Sequence, residues 1–380
     1  MEWIIAGGGI HGCTIATYLI KAKGIPASQI CIIDPHKGPI EKWKDLTSRI
    51  SMPFLRSPSV HHCDIHPFSL HYFNDGGSDV FYGKYKRPGL DFFNRHSEAI
   101  FSSIGLQERW QQGRVQGVTK SGNHWVVETD SGSVEGKNLV IATGMNERLS
   151  VPEWAEELRS SRPTQVGHIF QEKLPVVTPD IAIVGGGITA AHLVIKLARE
   201  HPGRVVQISR HPYRVHDFDS DPGWLGPKRL RGFHSLPSYK KRRQAIHDAR
   251  HHGSVTSELR HRLRRLEDRG EYRFIEDEVK GSGVDGSTLS LSLKHSRWEG
   301  KTLLLATGFC PKIMETEWVR ELVRKEGLVC AQCGFPIVNE HLEWCDHLYV
   351  SGPLAELEIG PVARNIAGAR KAAERIIGSM

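Results

Sequence analysis

The chain has 380 residues, 39% of them hydrophobic, with a formal net charge of +7 and seven cysteines. That length and apolar content suit two or three globular domains and exclude a disordered chain. The odd, sparse cysteine count argues against a disulfide-stapled secreted fold, and no uncharged apolar run approaches the ~20 residues that span a bilayer.

A first strand is expected at Trp3–Ala6, so close to Met1 that no signal peptide fits before it, which gives a cytoplasmic expectation. It leads into Gly7-Gly8-Gly9-Ile10-His11-Gly12 and a helix predicted from Thr14 to Lys23. Strand, glycine turn and helix in that order form a phosphate-binding fingerprint. Gly7 allows the tight turn, Gly9 lets a pyrophosphate approach the backbone, Gly12 lets helix and strand pack closely, and the phosphates rest on the positive helix end. Residues 1–37 read as a βαβ unit whose second strand, Gln29 to Asp34, ends in a carboxylate about twenty residues beyond the glycines. Asp34 is placed to accept hydrogen bonds from a ribose diol, as in the adenosine half of FAD or NAD.

Between Arg114 and Val134, the alternation in Trp125-Val126-Val127-Glu128-Thr129 and the turn residues Asp130-Ser131-Gly132 predict a small antiparallel excursion. Leu139-Val140-Ile141-Ala142-Thr143-Gly144 follows as a buried strand ending in a small turn. The stretch from Val151 to Pro179, with Pro152, Pro163, Pro175 and Pro179, reads as a linker whose prolines would stop helices repeatedly. A second fingerprint then appears: strand Ile181–Val184, Gly185-Gly186-Gly187-Ile188-Thr189-Ala190, and a helix from Ala190 to Glu200. Here the second strand ends in Ser209-Arg210 in place of an acid. A hydroxyl and a guanidinium, with Arg214 as a second donor, suit a ribose 2′-phosphate and hence NADPH; the alternative for Arg210 is a solvated surface arginine.

Residues 228–269 hold thirteen Lys and Arg against four acids, more than the whole chain's excess. Leu259, Leu263 and Leu266 make this an amphipathic helical segment with a basic face. It lacks the interleaved aromatics of a nucleic-acid module, and a basic rim that draws in anionic NADPH explains it better. The antiparallel excursion recurs at Leu289–Leu293, and Leu303-Leu304-Leu305-Ala306-Thr307-Gly308-Phe309 repeats the Ala-Thr-Gly turn, so the chain reads as two similar halves.

Cys330-Ala331-Gln332-Cys333 is open to three readings: a redox pair, half of a zinc site with Cys345 and His341 or His347, or small buried hydrophobes. The last is preferred, with Phe335-Pro336-Ile337-Val338 as a core strand, and no metal site is assigned. The chain closes with Ser351-Gly352-Pro353 and a helix opening at Gly360-Pro361 with an apolar stripe through Val362, Ile366, Ala369, Ala373 and Ile376. The fold class expected is α/β, with two Rossmann-like dinucleotide-binding domains for FAD and NADPH, small antiparallel excursions and a basic helical insert. Boundaries are set at 1–165 for the first FAD part, 166–305 for the NADPH domain with its insert at 224–270, and 306–380 for the FAD return.

Two fingerprints and two Ala-Thr-Gly strands resemble the two-dinucleotide-binding-domain flavoproteins, and Leu305 to Phe309 is similar to the flavin-dependent monooxygenases among them. Met52-Pro53-Phe54-Leu55-Arg56-Ser57-Pro58 through His66-Pro67-Phe68-Ser69-Leu70 more loosely resembles the flavin-contacting region of bacterial lysine and ornithine N-hydroxylases. The resemblance implies FAD on Gly7, Gly9, Gly12 and Asp34, with Thr143, Gly144 and Gly352 nearby, and NADPH on Gly185, Gly187, Ala190, Ser209 and Arg210, with Thr307 and Gly308. Gly360, Pro361 and Val362 would lie by the isoalloxazine, and Arg56, His61, His62, Glu356 and Glu358 are pocket candidates. Departures are the lack of a Phe six residues before His168 and Ser351-Gly352-Pro353 where disulfide reductases carry Gly-Asp.

What the resemblance implies for activity is a monooxygenase in which a C4a-hydroperoxyflavin hydroxylates a small nucleophile, an amine nitrogen or a sulfide. Its partners would be a small-molecule substrate and dioxygen, with no nucleic acid or membrane; a homo-oligomer is compatible. The alternatives are an NADPH-dependent disulfide or quinone reductase using Cys330 and Cys333, and a dinucleotide-binding protein without turnover.

Overall fold

The computed structural model describes residues 1–74, 80–145, 148–310 and 313–380. Two parallel sheets organise it. The first has the order Glu343–Cys345, Leu348–Val350, Asn138–Ile141, Trp3–Ala6, Ile30–Asp34, Trp110–Gln112, and only its first pair is antiparallel. The second has the order Val166–His168, Thr302–Leu305, Ile181–Val184, Val205–Ser209, Tyr272–Glu276 and is parallel throughout. The central strands are continuous apolar runs because both of their faces are covered: Trp3, Ile4, Ile5 and Ala6 are all buried, as are Thr302 to Leu305.

Each half has the same plan. A fingerprint strand and helix are followed by a second parallel strand, a three-stranded antiparallel meander (Val115–Ser121, His124–Thr129, Gly132–Gly136; then Val279–Asp285, Thr288–Leu293, Arg297–Gly300), and a closing strand beside the first. In the second half the crossover helix Ser257–Asp268 buries Leu259, Leu263 and Leu266 against the fingerprint helix. The basic segment therefore divides in two. Its last helix is the ordinary Rossmann crossover, while Pro227–His234 and Tyr239–Ala249 form an insert ahead of it.

Several local expectations are corrected. The fingerprint helices begin at Ile10 and Ile188, earlier than Thr14 and Ala190, because their first turns are built from the glycine motif itself. The proline-bearing stretch is not a bare linker: Pro152 caps a helix at Glu153–Ser161, and Val166–His168 joins the second sheet. Proline stops a helix only from within, and here it stands before the first turn. Phe335–Val338 forms no strand; it is the return of a hairpin bridged at Cys330 and Pro336. The terminal apolar stripe is broken at the extended Asn365 into a 3₁₀ turn, Pro361–Arg364, and a helix, Ile366–Ile377, that packs on the first fingerprint helix.

Gly12 sets how closely the first helix approaches its strand. A Cβ there would lie 1.8 Å from the Gly7 carbonyl oxygen, whereas one at Gly9 would meet nothing within 4 Å. Gly12→Ala is expected to destabilise the fold by about 3 kcal/mol, and Gly9→Ala, at a helix N-cap, by less than about 1 kcal/mol. Urea denaturation midpoints of the two variants measure the difference.

Candidate nucleotide sites

The first fingerprint presents an open edge. Gly7 has φ of 112°, and its amide donates to the Ile33 carbonyl at 2.8 Å; a side chain there would strike the Ala142 carbonyl. The Trp110 ring fills the space over Gly8 and donates from Nε1 to the His36 carbonyl at 2.8 Å. Asp34 accepts from the Gly8 amide at 2.7 Å and from the His36 amide at 2.9 Å, and its Oδ1 meets His36 Nδ1 at 2.7 Å. Alongside lies a pocket of about 170 Å³ walled by Gly7, Asp34, His36, Gly113, Thr143, Gly144, Met145 and Trp318. This cradle, with its side-chain-free Gly9 edge and its carboxylate, fits an adenosine diphosphate. Beyond it, His11 Nδ1 meets Ser351 Oγ at 2.8 Å beside Gly352, whose φ is 64°.

The second fingerprint repeats the backbone but not the opening. Gly185 donates to the Ile208 carbonyl at 3.0 Å, and a Cβ there would lie 2.5 Å from the Ala306 carbonyl oxygen, while Ala190 is fully buried. Ser209 takes the place of Asp34, yet its hydroxyl donates to the His211 carbonyl at 2.9 Å, and it lies beneath Gly186. A Cβ at Gly187 would stand 3.5 Å from the Gly253 Cα. Thr307 is likewise committed: its hydroxyl donates to the Ser150 carbonyl at 2.5 Å, and Gly308 accepts from the Ser150 amide. Arg210 and Arg214 stand exposed beside this turn.

Glu356, Glu358 and Gly360 to Val362 lie against the insert, and Arg56 is held by the loop ahead of it and by Ser254 beyond it. Arg56 donates to Asp219 Oδ1 at 2.7 Å and to the carbonyls of His216 and Phe218 and the Ser254 hydroxyl at 2.7–2.9 Å. Glu356 is fully buried, held by Arg364 at 2.7 and 2.9 Å and by Arg243 of the insert. Glu358 pairs with Arg242 at 3.0 Å and Arg375 at 2.8 Å. Gly360 has φ of 89° and lies beneath Trp224, Leu230 and Phe233, which a Cβ would meet at 3.5–3.9 Å; Arg250 donates to the Pro361 carbonyl at 2.9 Å. Each of these pocket candidates is engaged in such bonds: Glu356 and Glu358 hold Arg243 and Arg242 of the insert, and Arg56 holds Asp219 ahead of it. Breaking a buried pair such as Glu356–Arg243 costs about 3–5 kcal/mol, whereas an exposed pair such as Arg264–Asp268 contributes roughly 0–1 kcal/mol, so the buried clamp decides where the insert sits.

His61 and His62 lie apart from this group. The Pro67 carbonyl, at 3.0 Å, engages His62 Nε2, and His62 Nδ1 accepts from the Asp64 amide; its ring meets that of His96 edge-on. Sequence reasoning missed Trp110, His36 and Trp318, since a lone aromatic or histidine carries no motif. The one available signal was that a tryptophan opens the strand beside the Asp34 strand. Among the described residues no three His, Cys, Asp or Glu side chains converge on a metal position, and no helix is long and apolar enough to cross a membrane.

Two parallel fingerprint sheets, one ending in a carboxylate and one in Ser-Arg, give an α/β fold of two Rossmann-like dinucleotide-binding domains. Residues 107–271, under half of the chain, match the family described as L-lysine 6-monooxygenase/L-ornithine 5-monooxygenase. The fold of the chain is similar to that of the ornithine hydroxylase of Pseudomonas aeruginosa, at 18% identity and a TM-score of 0.76 over 100% of this chain and 98% of that one. The ornithine N-hydroxylase of Kutzneria sp. 744 gives 16% and 0.74 over 100% and 98%. The bacillithiol disulfide reductase of Bacillus cereus gives 18% and a lower 0.59 over the same shares. No curated relative matches the chain in sequence.

Burial pushes the imidazoles of His61, His62, His96, His11, His168 and His192 from their ordinary 6.5 down to about 4. All six are neutral in the fold at pH 7. The unfolded chain then binds more protons than the folded one between these values, so stability is complete above pH 6.5 and falls as pH drops toward 4. Thermal melts across that window are expected to show a progressive loss of Tm, and His96→Gln is expected to lessen that loss by one histidine's share of the six.

Proposed function

We propose that this chain N-hydroxylates a small primary amine, consuming one NADPH and one dioxygen and releasing NADP⁺ and water. The observation that carries the reading is the pairing of an open Gly9 edge and Asp34 cradle with a Ser209-Arg210 second site, in a chain whose middle matches the amine-monooxygenase family. Bound FAD would supply the redox chemistry, taking electrons from NADPH and passing them to dioxygen. In the proposed arrangement, Gly7, Gly9 and Gly12 let the pyrophosphate reach the amino end of Ile10–Lys23, and Asp34 exchanges one of its present donors for a ribose hydroxyl. Thr143 and Gly144 border the adenosine.

In the second site, Gly185 and Gly187 take the NADPH pyrophosphate, with Gly253 and His211 yielding the space they now share with the turn. Arg210 and Arg214 engage the 2′-phosphate, and Ser209 acts from beneath by holding His211. Neither Glu356 nor Glu358 is offered as a free base, because both carboxylates are neutralised by arginines. Their part is to fasten the insert over Gly360 and Pro361, where Trp224, Leu230 and Phe233 exclude water. A dry cover directs oxygen to the amine in place of hydrogen peroxide.

The experiment is NADPH consumption in air with lysine, ornithine and cadaverine in turn, each scored for a hydroxylamine product by mass spectrometry. Hydroxylamine matching NADPH consumed is expected for one of them. Hydrogen peroxide as the sole oxygen product with every amine, or oxidation of a disulfide-coupled NADPH pool instead, would overturn the reading. Gly9→Glu should purify colourless, since its side chain would fill the pyrophosphate space. Arg210→Ala should raise KM for NADPH by roughly 10–100-fold, the scale of one lost charge-assisted contact, while leaving KM for NADH within about twofold; steady-state kinetics with both nucleotides measures this.

A further inference from the structure

Four of the seven cysteines are set aside by burial, which pushes the thiols of Cys13 and Cys31 up and those of Cys63 and Cys345 up to about 11. Cys310 lines the adenosine pocket. Cys330 and Cys333 remain, on a hairpin that neither nucleotide site uses. Ile337 donates to the Val329 carbonyl at 3.0 Å and Ala331 to the Phe335 carbonyl at 2.8 Å, and Gly334, with φ of 81°, closes the turn onto the Ala331 carbonyl at 2.8 Å. Cys333 is exposed at its tip and Cys330 half-buried behind it, close enough that burial and then the Cys333 charge both raise the Cys330 thiol.

The hairpin is a foot of the insert. Phe335 is buried with Phe233, Ile246 and Leu357, and the Arg243 guanidinium stacks 3.9 Å from the Phe335 ring centroid. That same guanidinium reaches Glu356, and Cys333 stands near enough to interact with its charge. A cationic neighbour and open access are the two conditions that make a thiol a nucleophile, and here a second thiol stands three residues back to resolve the product.

We propose that Cys330 and Cys333 are a peroxide-sensitive dithiol whose closure to a disulfide loosens the insert helix that carries Arg243. The Cys333 sulfur attacks hydrogen peroxide, forming an S–O bond as the O–O bond breaks and one water leaves. The Cys330 sulfur then attacks it, forming the S–S bond as S–O breaks and the second water leaves. Two thiols lose two electrons and two protons, and one peroxide becomes two waters. Closure of the disulfide draws the hairpin tip back toward Cys330 and away from Arg243, which stacks on Phe335 of the same hairpin.

The test adds hydrogen peroxide to the purified full chain, so it is independent of the oxygenase reading. Peptide mass mapping is expected to find a Cys330–Cys333 disulfide, reversed by a dithiol reductant, and Cys333 should alkylate at least about tenfold faster than Cys13 before oxidation. In Cys330→Ser, where no resolving thiol remains, Cys333 is expected to run on to the sulfinic acid. Amide exchange across residues 239–249 should rise on oxidation in the natural chain and not in either serine variant. Overoxidised Cys333 beside an intact Cys330 in the natural chain, zinc held by the pair in the purified protein, or unchanged exchange after the disulfide forms would each overturn the proposal.

Discussion

The first helix can lie against its own strand only because Gly12 carries no side chain, its missing Cβ falling 1.8 Å from the Gly7 carbonyl oxygen. A helix held this close directs its first-turn amides along the strand axis toward the space beside Gly9, and the two neighbouring strands converge there with Asp34 and Thr143. The shape of the first candidate site is therefore a consequence of one backbone approach. In the second half Ala190 takes the same position, and Ser209 and His211 shape the turn differently around it.

The insert turns this two-cradle scaffold into something more specific. A parallel sheet leaves its functional edge at the carboxyl ends of the strands, open to solvent. Here the chain between Ser209 and Ser257 folds back over that edge, fixed by Arg56 on one side and Glu356 on the other. The basic character that dominates the sequence is only partly a surface property, since Arg242 and Arg243 spend their charge inward on two carboxylates of the C-terminal turn.

How much of this was legible in the sequence depends on the range of the interaction. The fingerprints, Asp34 and the apolar strands are local patterns, and strand, turn and helix follow from adjacent residues. Fold class and the two halves could be read for that reason. The roles of Arg56 and Glu356 could not, because the partners that tie them to distant segments lie roughly a hundred residues or more away in sequence, Asp219 for one and, besides the nearby Arg364, Arg243 for the other. Pro152 was misread for a related reason: proline disrupts or starts a helix depending on a register that the sequence alone does not fix. Trp110 was invisible because its function is to fill a volume defined by Gly8 and His36.

The first sheet is stitched from both ends of the chain. Leu348–Val350 pairs with Asn138–Ile141, and the Ser351 amide closes onto the Ile141 carbonyl, so strands some two hundred residues apart in sequence are neighbours in space. The second sheet lies wholly between them. On the ribosome this order has a consequence: the second half can complete its hydrogen-bond ladder while the Asn138–Ile141 edge, apolar and unpaired, must wait for the last strands to emerge. An exposed apolar edge is a site of misassociation between nascent chains. The helix Ile366–Ile377 then closes the sheet by packing on the first fingerprint helix, which joins the late segment to the amino-terminal half.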